Sequence, residues 1–269
     1  MKENVYQNRS FKYGDGLFET MRVSKGKVLF LEDHYERLIL GFEALGLDYR
    51  EGKVKSALDF ERWIDEFIQQ EGLVGQNFRF RMPFFREEGG LYTPMCSTWS
   101  ATSEYRPLES GEYTDHDFKE VVDVVPEQRL PMDKYAKLKT TSALPYILAG
   151  LYKKQMNLND VILLNHNDCI AEAQSSNVFL CKDDVLYTPS LDQGCIMGVM
   201  RKQILKLSNT LGMTSVEKSI TIRELYEADE IFLTNVIQGL RSVHQIRSKS
   251  KIYGQKIRKD LLNLLNTSL

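Results

Sequence analysis

The sequence predicts an α+β protein of two domains. Three observations carry this expectation. The second half is rich in short β segments and holds few helices, which argues against a parallel doubly wound sheet. No G-x-G-x-x-G follows a strand, so no dinucleotide fold is expected. A polar stretch at 103–117 (SEYRPLESGEYTDHD), holding Pro107 and Gly111, reads as a linker. It divides the chain into a small α/β domain at 1–110 and a larger β-rich domain at 111–269.

Residues 11–32 read as a hairpin. Leu17-Phe18 and Met21-Arg22-Val23 make the first arm, Ser24-Lys25-Gly26 the turn and Val28-Leu29-Phe30 the second arm. A helix starts near Asp33, carries Leu38, Phe42 and Leu45 on one face, and ends at Gly46. A second helix spans 52–70 through Leu58, Trp63, Phe67 and Ile68. Residues 77–82 alternate as a half-buried strand, and 95–102 pairs with it across the Glu87-Glu88-Gly89-Gly90 turn. Beyond the linker come a strand at 118–125, a loop to 138 and a helix at 141–155. Short strands follow at 160–164, 169–172, 176–181 and 185–188, punctuated by Asn165-His-Asn-Asp168 and Lys182-Asp-Asp184. A helix after Gly198, strands at 214–220, 230–235 and 241–247, and a helix at 256–266 complete the chain.

The chain has 269 residues, with 35 basic and 37 acidic side chains and a net charge of −2. It lacks the basic stripe of a nucleic-acid binder. With 42% hydrophobic and 27% charged residues it suits a globular protein able to bury a core. No apolar run approaches the roughly 18 residues of a membrane helix. The first residues, Met1 to Asn8, show no apolar leader, and a cytoplasmic protein is expected. Cys96, Cys169, Cys181 and Cys195 lack C-x-x-C spacing, and their apolar neighbours predict buried thiols. His34, His116, His166 and His244 are scattered, so no metal site is expected.

Four segments stand out together: Phe11-Lys-Tyr-Gly-Asp-Gly-Leu-Phe-Glu-Thr20 with Leu31-Glu-Asp-His-Tyr-Glu-Arg-Leu38; Leu138-Lys-Thr-Thr-Ser-Ala-Leu-Pro145; Ala171-Glu-Ala-Gln-Ser-Ser-Asn-Val-Phe179; and the stretch 187–201 with 228–235 behind it. In this order they resemble the class IV aminotransferases, the fold-type IV pyridoxal-phosphate enzymes, over about residues 11–246. The resemblance implies a D-amino-acid-aminotransferase-like fold, pyridoxal 5'-phosphate as cofactor, a small amine or amino-acid substrate, and a homodimer.

Lys139 matches the family's Schiff-base lysine. That chemistry needs a free amine, which burial and neighbouring cations favour. Lys134 and Lys137 lie nearby, but neither has a proline six residues on. Glu172 matches the carboxylate opposite the pyridine nitrogen, where charge pairing keeps the ring protonated as an electron sink. Arg37 matches the arginine that clamps the cofactor phosphate. Val199 and Met200 open a helix whose free N–H groups can also hold phosphate. Thr234 and Asn235 are further expected neighbours of the cofactor. Substrate-carboxylate binders are sought among Arg79, Arg81, Arg86, Arg22, Lys12, Tyr13 and Tyr92. The alternation puts Arg79 and Arg81 on one strand face and Phe78 and Phe80 on the other.

The stretch Tyr187-Thr-Pro-Ser-Leu-Asp-Gln-Gly-Cys-Ile-Met-Gly-Val-Met-Arg201 looks more like aminodeoxychorismate lyase than branched-chain transaminases. A branched-chain or D-amino-acid transaminase is the alternative, sharing every cofactor residue. Departures from the family pattern fall at Ala143, Met200 and Leu91, where a phenol-oxygen neighbour, a hydroxyl and an arginine are usual. Two other classes find partial matches in the sequence. Ser24-Lys-Gly-Lys27, Ser175-Ser-Asn177 and Lys139-Thr-Thr141 mimic an acyl-serine enzyme, but in the wrong order and on a turn. A silent scaffold would have no use for both Lys139 and Glu172.

Overall fold

The computed structural model describes residues 8–50, 52–115 and 119–269. The expected absence of a leader before Asn8, His116 and the start of the strand expected at 118 lie outside the described residues. The chain falls into two compact units. One comprises the residues up to Gly111 together with Leu138–Ala143, the other Glu112–Lys137 and Leu144–Leu269. Each combines helices with a sheet, so the class is α+β as expected.

The first unit contains α1 (Arg9–Tyr13), β1 (Gly16–Ser24), β2 (Lys27–Val28), α2 (Leu31–Leu45), α3 (Ala57–Gln70), β3 (Phe78–Arg86), β4 (Trp99–Ala101) and β5 (Glu104–Pro107). The sheet runs β2-β1-β3-β4, with β5 also on β3, and all pairs are antiparallel. Lys25 and Gly26, both at positive φ (50° and 80°), make the two-residue turn between β1 and β2. Gly46, left-handed at φ 63°, ends α2 as expected. Where α2 crosses β1, a Cβ on Gly41 would lie 2.6 Å from Leu17 Cδ1, so glycine sets that close approach.

The core of this unit is aromatic. Phe42 of α2, Phe60 of α3 and Phe84 of β3 are fully buried. Phe42 meets Trp99 edge-on at 5.1 Å and Phe84 at 5.6 Å between centroids, and Phe60 lies 6.4 Å from Phe84. Phe84→Ala is expected to cost about 3–5 kcal/mol in denaturant unfolding, because the surrounding rings cannot collapse into the space. A loss below about 1 kcal/mol would show that this cluster does not hold the unit together.

Several local expectations are corrected here. The 52–70 helix is a short 3-10 turn at Gly52–Val54 followed by α3, which starts after Ser56 because its hydroxyl accepts from the Asp59 N–H at 3.1 Å. β3 continues to Arg86 through Pro83. The proline is tolerated because it falls where the neighbour changes from β5, opposite Phe78 to Arg81, to β4, opposite Phe84 to Arg86. The stretch expected as a linker holds β5, an edge strand with all four side chains exposed. The lysine-bearing segment was expected in the second domain; Leu138–Ala143 belongs to the first unit. Its backbone shows why. Phe18 N–H donates to the Lys139 carbonyl at 2.9 Å, Thr141 N–H donates to that of Gly16 at 2.9 Å, and Leu17 bridges Thr140.

The second unit contains β6 (Glu120–Leu130), α4 (Leu144–Gln155), β7 (Asp160–Asn165), β8 (Ile170–Ala173), β9 (Asn177–Lys182), β10 (Val185–Pro189), α5 (Val199–Thr210), β11 (Ser215–Lys218), α6 (Ile222–Glu227), β12 (Glu230–Asn235), β13 (Gly239–Ile246) and α7 (Lys256–Thr267). Its sheet runs β11-β10-β9-β12-β13-β6-β7-β8. The pairs β10–β11, β13–β6 and β6–β7 are parallel and the rest antiparallel. Both faces of β7 are covered. Val161 and Leu163 pack with Ala149 and Tyr146 of α4, while Ile162 and Leu164 join Val178, Leu180, Ile231 and Leu233. This explains an unbroken apolar run in place of alternation.

α4 starts at Leu144 rather than 141, because the preceding residues are paired to β1. α6, unread in the sequence, is opened by a capping box in which Thr221 and Glu224 satisfy each other's backbone N–H groups. Cys181 and Cys195 are buried, and burial pushes their thiols up to about 11 and about 12. Cys96 and Cys169 are only half-buried, contrary to expectation, since they sit in a loop and beside a turn. Among the described residues no helix is long and apolar enough to cross a membrane. Nor does any group of three or more His, Cys, Asp or Glu among them suit a metal ion.

Candidate functional site

Glu172 anchors the candidate site in the second unit. It sits on β8, buried to 3% exposure, and its carboxylate is held by three donors. Tyr146 of α4 donates its hydroxyl to Oε1 at 2.6 Å. The Ile196 N–H reaches Oε2 at 3.0 Å, and Asn177 Nδ2 approaches it at 3.3 Å. Asn177 also donates to the Ile196 carbonyl at 2.9 Å, tying the 194–198 loop to β9. Burial, and then the Glu172 charge beside it, raise the Tyr146 phenol far above its ordinary range. Tyr146 therefore stays protonated and donating at any working pH.

The same loop delivers the N-terminus of α5. Gly198 caps the helix with no side-chain hydrogen bond, and a Cβ there would run into Asn177 Oδ1. Val199 and Met200 follow in the first turn, both buried. Thr234 of β12 stands opposite Asn177 of β9, so it belongs to the same neighbourhood. Its Oγ1 is buried with no hydrogen-bond partner among the described residues. A buried hydroxyl is rarely left so, and an anion here would satisfy it together with the helix N–H groups. Asn235 does something else. Its Oδ1 accepts from Ile237 and Gln238 N–H at 3.0 and 2.8 Å, and its Nδ2 donates to Ser176 Oγ and Gln238 Oε1. It holds the β12–β13 turn.

Lys139 and Arg37 lie in the first unit. The Lys139 ammonium sits 4.5 Å from the Phe18 ring centroid, and the Arg81 guanidinium 4.4 Å from the same ring. Lys134 instead lies over Tyr135, and the Lys137 carbonyl accepts from Met197 N–H. Arg37 of α2 is buried against Glu19 of β1: Nε donates to Oε1 at 2.8 Å and Nη2 to Oε2 at 2.5 Å. His34, one turn earlier on α2, places Nδ1 2.7 Å from Oε2. Burial pushes the Glu19 carboxyl up, but the Arg37 charge and the hydrogen bonds from His34 and Arg37 overcome this and hold it at about 2.

The expected substrate residues divide. Arg79 and Arg81 share a face as expected and both approach Glu104 of β5, at 3.4 and 3.7 Å. Arg86 does not fit a substrate role. It is buried, with its donors on Asp15, the Cys96 carbonyl at 2.9 Å and the Leu45 carbonyl, so it ties β3 to its neighbouring loops. Arg22 likewise donates to the Ser110 carbonyl at 2.7 Å. Tyr92 is 90% exposed and stacks obliquely on Tyr13 at 5.5 Å. Lys12 lies 3.9 Å from Glu88. The sequence reading missed Arg9, which is buried and grips Asp15 at 2.8 Å and the Gly89 and Gly90 carbonyls at 2.9 Å. It missed Tyr146 and Asn177 as well. Glu19 offered a signal, since it is a charged residue in phase with Leu17, Met21 and Val23 on the buried side of β1.

The chain matches the profile of the family described as amino-transferase class IV over residues 16–246. D-alanine aminotransferase of Bacillus licheniformis is 25% identical over 232 residues, which span 85% of this chain and 78% of that protein. Among solved structures, 4-amino-4-deoxychorismate lyase from Pseudomonas aeruginosa is 26% identical with a TM-score of 0.82, covering 98% of this chain and 94% of the other. The branched-chain aminotransferase of Thermoproteus uzoniensis, at 24% identity and a TM-score of 0.82, covers 96% of this chain and 86% of its own, and shares the fold.

Proposed function

The chain belongs to the class IV aminotransferase family, and from that premise we propose that it binds pyridoxal 5'-phosphate and acts as an aminodeoxychorismate lyase. It is an enzyme, with the α+β fold of the fold-type IV pyridoxal-phosphate enzymes. One observation carries the cofactor reading: the buried Glu172 carboxylate is tied by the Ile196 N–H and Asn177 to the loop that delivers the N-terminus of α5, and Thr234, whose buried hydroxyl has no hydrogen-bond partner among the described residues, stands opposite Asn177. A carboxylate suits a pyridinium nitrogen, and the helix end with a free hydroxyl suits a phosphate. Thr234 would supply the side-chain hydroxyl that Met200 lacks. Arg37 would add the permanent positive charge, and Lys139 the amine that links covalently to the cofactor.

The bound cofactor would supply an electron sink for the carbon bearing the substrate amine. This chain's residues do the rest. Lys139 Nζ would take the proton from the amine-bearing ring carbon of 4-amino-4-deoxychorismate. The enolpyruvyl ether bond then breaks and the ring becomes aromatic, giving 4-aminobenzoate and, after protonation, pyruvate. Glu172 would supply the counter-charge to a protonated ring nitrogen. The stretch Leu191-Asp-Gln193 with Met200-Arg201 favours the lyase. The D-alanine aminotransferase relative favours the alternative, a D-amino-acid or branched-chain transaminase in which Lys139 would take the proton from the substrate Cα. The lyase reading carries with it a cytoplasmic homodimer serving folate biosynthesis.

A product assay on the purified chain separates them. With aminodeoxychorismate the yellow protein is expected to keep its colour while 4-aminobenzoate and pyruvate appear in equal amounts. Bleaching by an L- or D-amino acid with release of a keto acid, and no 4-aminobenzoate, would establish the transaminase instead. A protein that stays colourless with pyridoxal phosphate would overturn both.

A further inference from the structure

The Glu19–His34–Arg37 cluster demands an explanation that stability does not provide. All three side chains are buried, at 1%, 0% and 5% exposure. Removing an acid, a base and an imidazole from water is costly, and apolar residues of similar volume often serve stability as well or better. The geometry is specific. Glu19 Oε1 takes Arg37 Nε, while Oε2 takes both Arg37 Nη2 and His34 Nδ1. Burial lowers the imidazole's proton affinity, so His34 is neutral at neutral pH. A carboxylate can only accept, so Nδ1 carries the hydrogen. His34 thus braces the carboxylate at Oε2, and its Nε2 has no hydrogen-bond partner among the described residues.

An arginine on a helix has several freely rotating bonds, and its planar fork loses affinity unless those are fixed. A carboxylate on the Nε/Nη2 edge fixes the plane and leaves the geometry of the Nη1/Nη2 edge determined. We propose that Glu19, braced by His34, is a positioning residue that orients the Arg37 guanidinium for the phosphate of the cofactor. This rests on the reading above that Arg37 meets that phosphate. A second polar contact on β1, the Phe18 N–H bonded to the Lys139 carbonyl, makes the same strand the support of the covalent link as well.

The test compares two ligands on the cofactor-stripped full chain: pyridoxal phosphate and pyridoxal, which lacks only the phosphate. Binding is followed by the visible band of the lysine-bound form, with inorganic phosphate as a competitor. Glu19→Gln is expected to weaken pyridoxal phosphate about ten-fold, the scale of one misplaced charge-assisted hydrogen bond. Pyridoxal should change less than about two-fold, and inorganic phosphate should compete less well with the residual binding. His34→Gln, which keeps a donor but loosens the brace, is expected to lower the same ratio about three-fold. It tests the inference independently if Glu19→Gln does not fold. Arg37→Gln is the control. If it leaves the ratio unchanged, Arg37 does not meet the phosphate, and the reading and this inference fall together. If Arg37→Gln collapses the ratio while Glu19→Gln and His34→Gln do not, the positioning role alone is overturned. Equal weakening of both ligands in the Glu19 and His34 variants would assign those residues a purely structural role and overturn it too.

Discussion

Lys139→Ala is expected to lose turnover by about 10³-fold or more and to leave the protein colourless in the presence of pyridoxal phosphate. On the proposed function the two losses have one cause, since the same Nζ would make the covalent link and move the proton. The fold should survive. The contacts that dock this segment on β1 are made by backbone atoms, Phe18 N–H to the Lys139 carbonyl and Thr141 N–H to the Gly16 carbonyl, and alanine keeps them. Among the contacts alanine loses is the ammonium against Phe18, about 0.5–1 kcal/mol when partly exposed. An unfolding midpoint within a few degrees of the parent is therefore expected, and a small primary amine in solution should restore some turnover by replacing the base. Lys134→Ala and Lys137→Ala supply the comparison. If either of these loses the colour and Lys139→Ala keeps it, the lysine has been misassigned.

How far the sequence spoke depended on whether a signal was local. The β1–β2 turn was legible because Lys25-Gly26 satisfies a positive-φ pair at adjacent positions. The boundaries near β8 and β10 were legible because Asp168, Asp183 and Asp184 adopt positive φ, which aspartate tolerates. β5 was not, because an edge strand with every side chain exposed has no apolar face to alternate. The membership of Leu138–Ala143 was also hidden, since its partner strand lies some 120 residues earlier in the chain and pairing of that kind leaves no local periodicity. At the candidate site the residue types were readable and their duties were not. Arg79, Arg81 and Arg86 look alike on an alternating strand, yet Arg86 alone is swallowed by carbonyls at the end of β3. Asn235 was singled out beside Thr234, but a turn claims its side chain while the threonine hydroxyl is left without a partner. The missed residues follow the same logic. Glu19 and His34 stand on core-facing positions of otherwise apolar patterns, and only their partners reveal what they do.

Glu172→Gln should separate the electrostatic role of this carboxylate from its structural one. The amide keeps the shape but carries no charge, so on the proposed function a protonated ring nitrogen would lose its counter-charge. Turnover is expected to fall about 10²-fold, the scale of removing one preorganised electrostatic partner, with little change in the affinity for substrate. The structure adds a cost. Three donors converge on the carboxylate, from Tyr146, Asn177 and Ile196, and an amide offers only one oxygen to them. Turned so that its oxygen keeps Asn177 and Ile196, its NH2 faces the Tyr146 hydroxyl, which can accept from it but loses the acceptor for its own hydrogen, and a buried unmet donor costs about 1–3 kcal/mol. Tyr146→Phe isolates that part, because it removes one donor and leaves the charge in place. Its effect on turnover should stay within a few-fold while the unfolding free energy falls by about 1 kcal/mol. If Glu172→Gln loses stability but keeps its rate, the carboxylate is only a knot tying α4, β8 and the 194–198 loop together. A rate that collapses in Glu172→Gln and persists in Tyr146→Phe places the decisive charge on Glu172 itself.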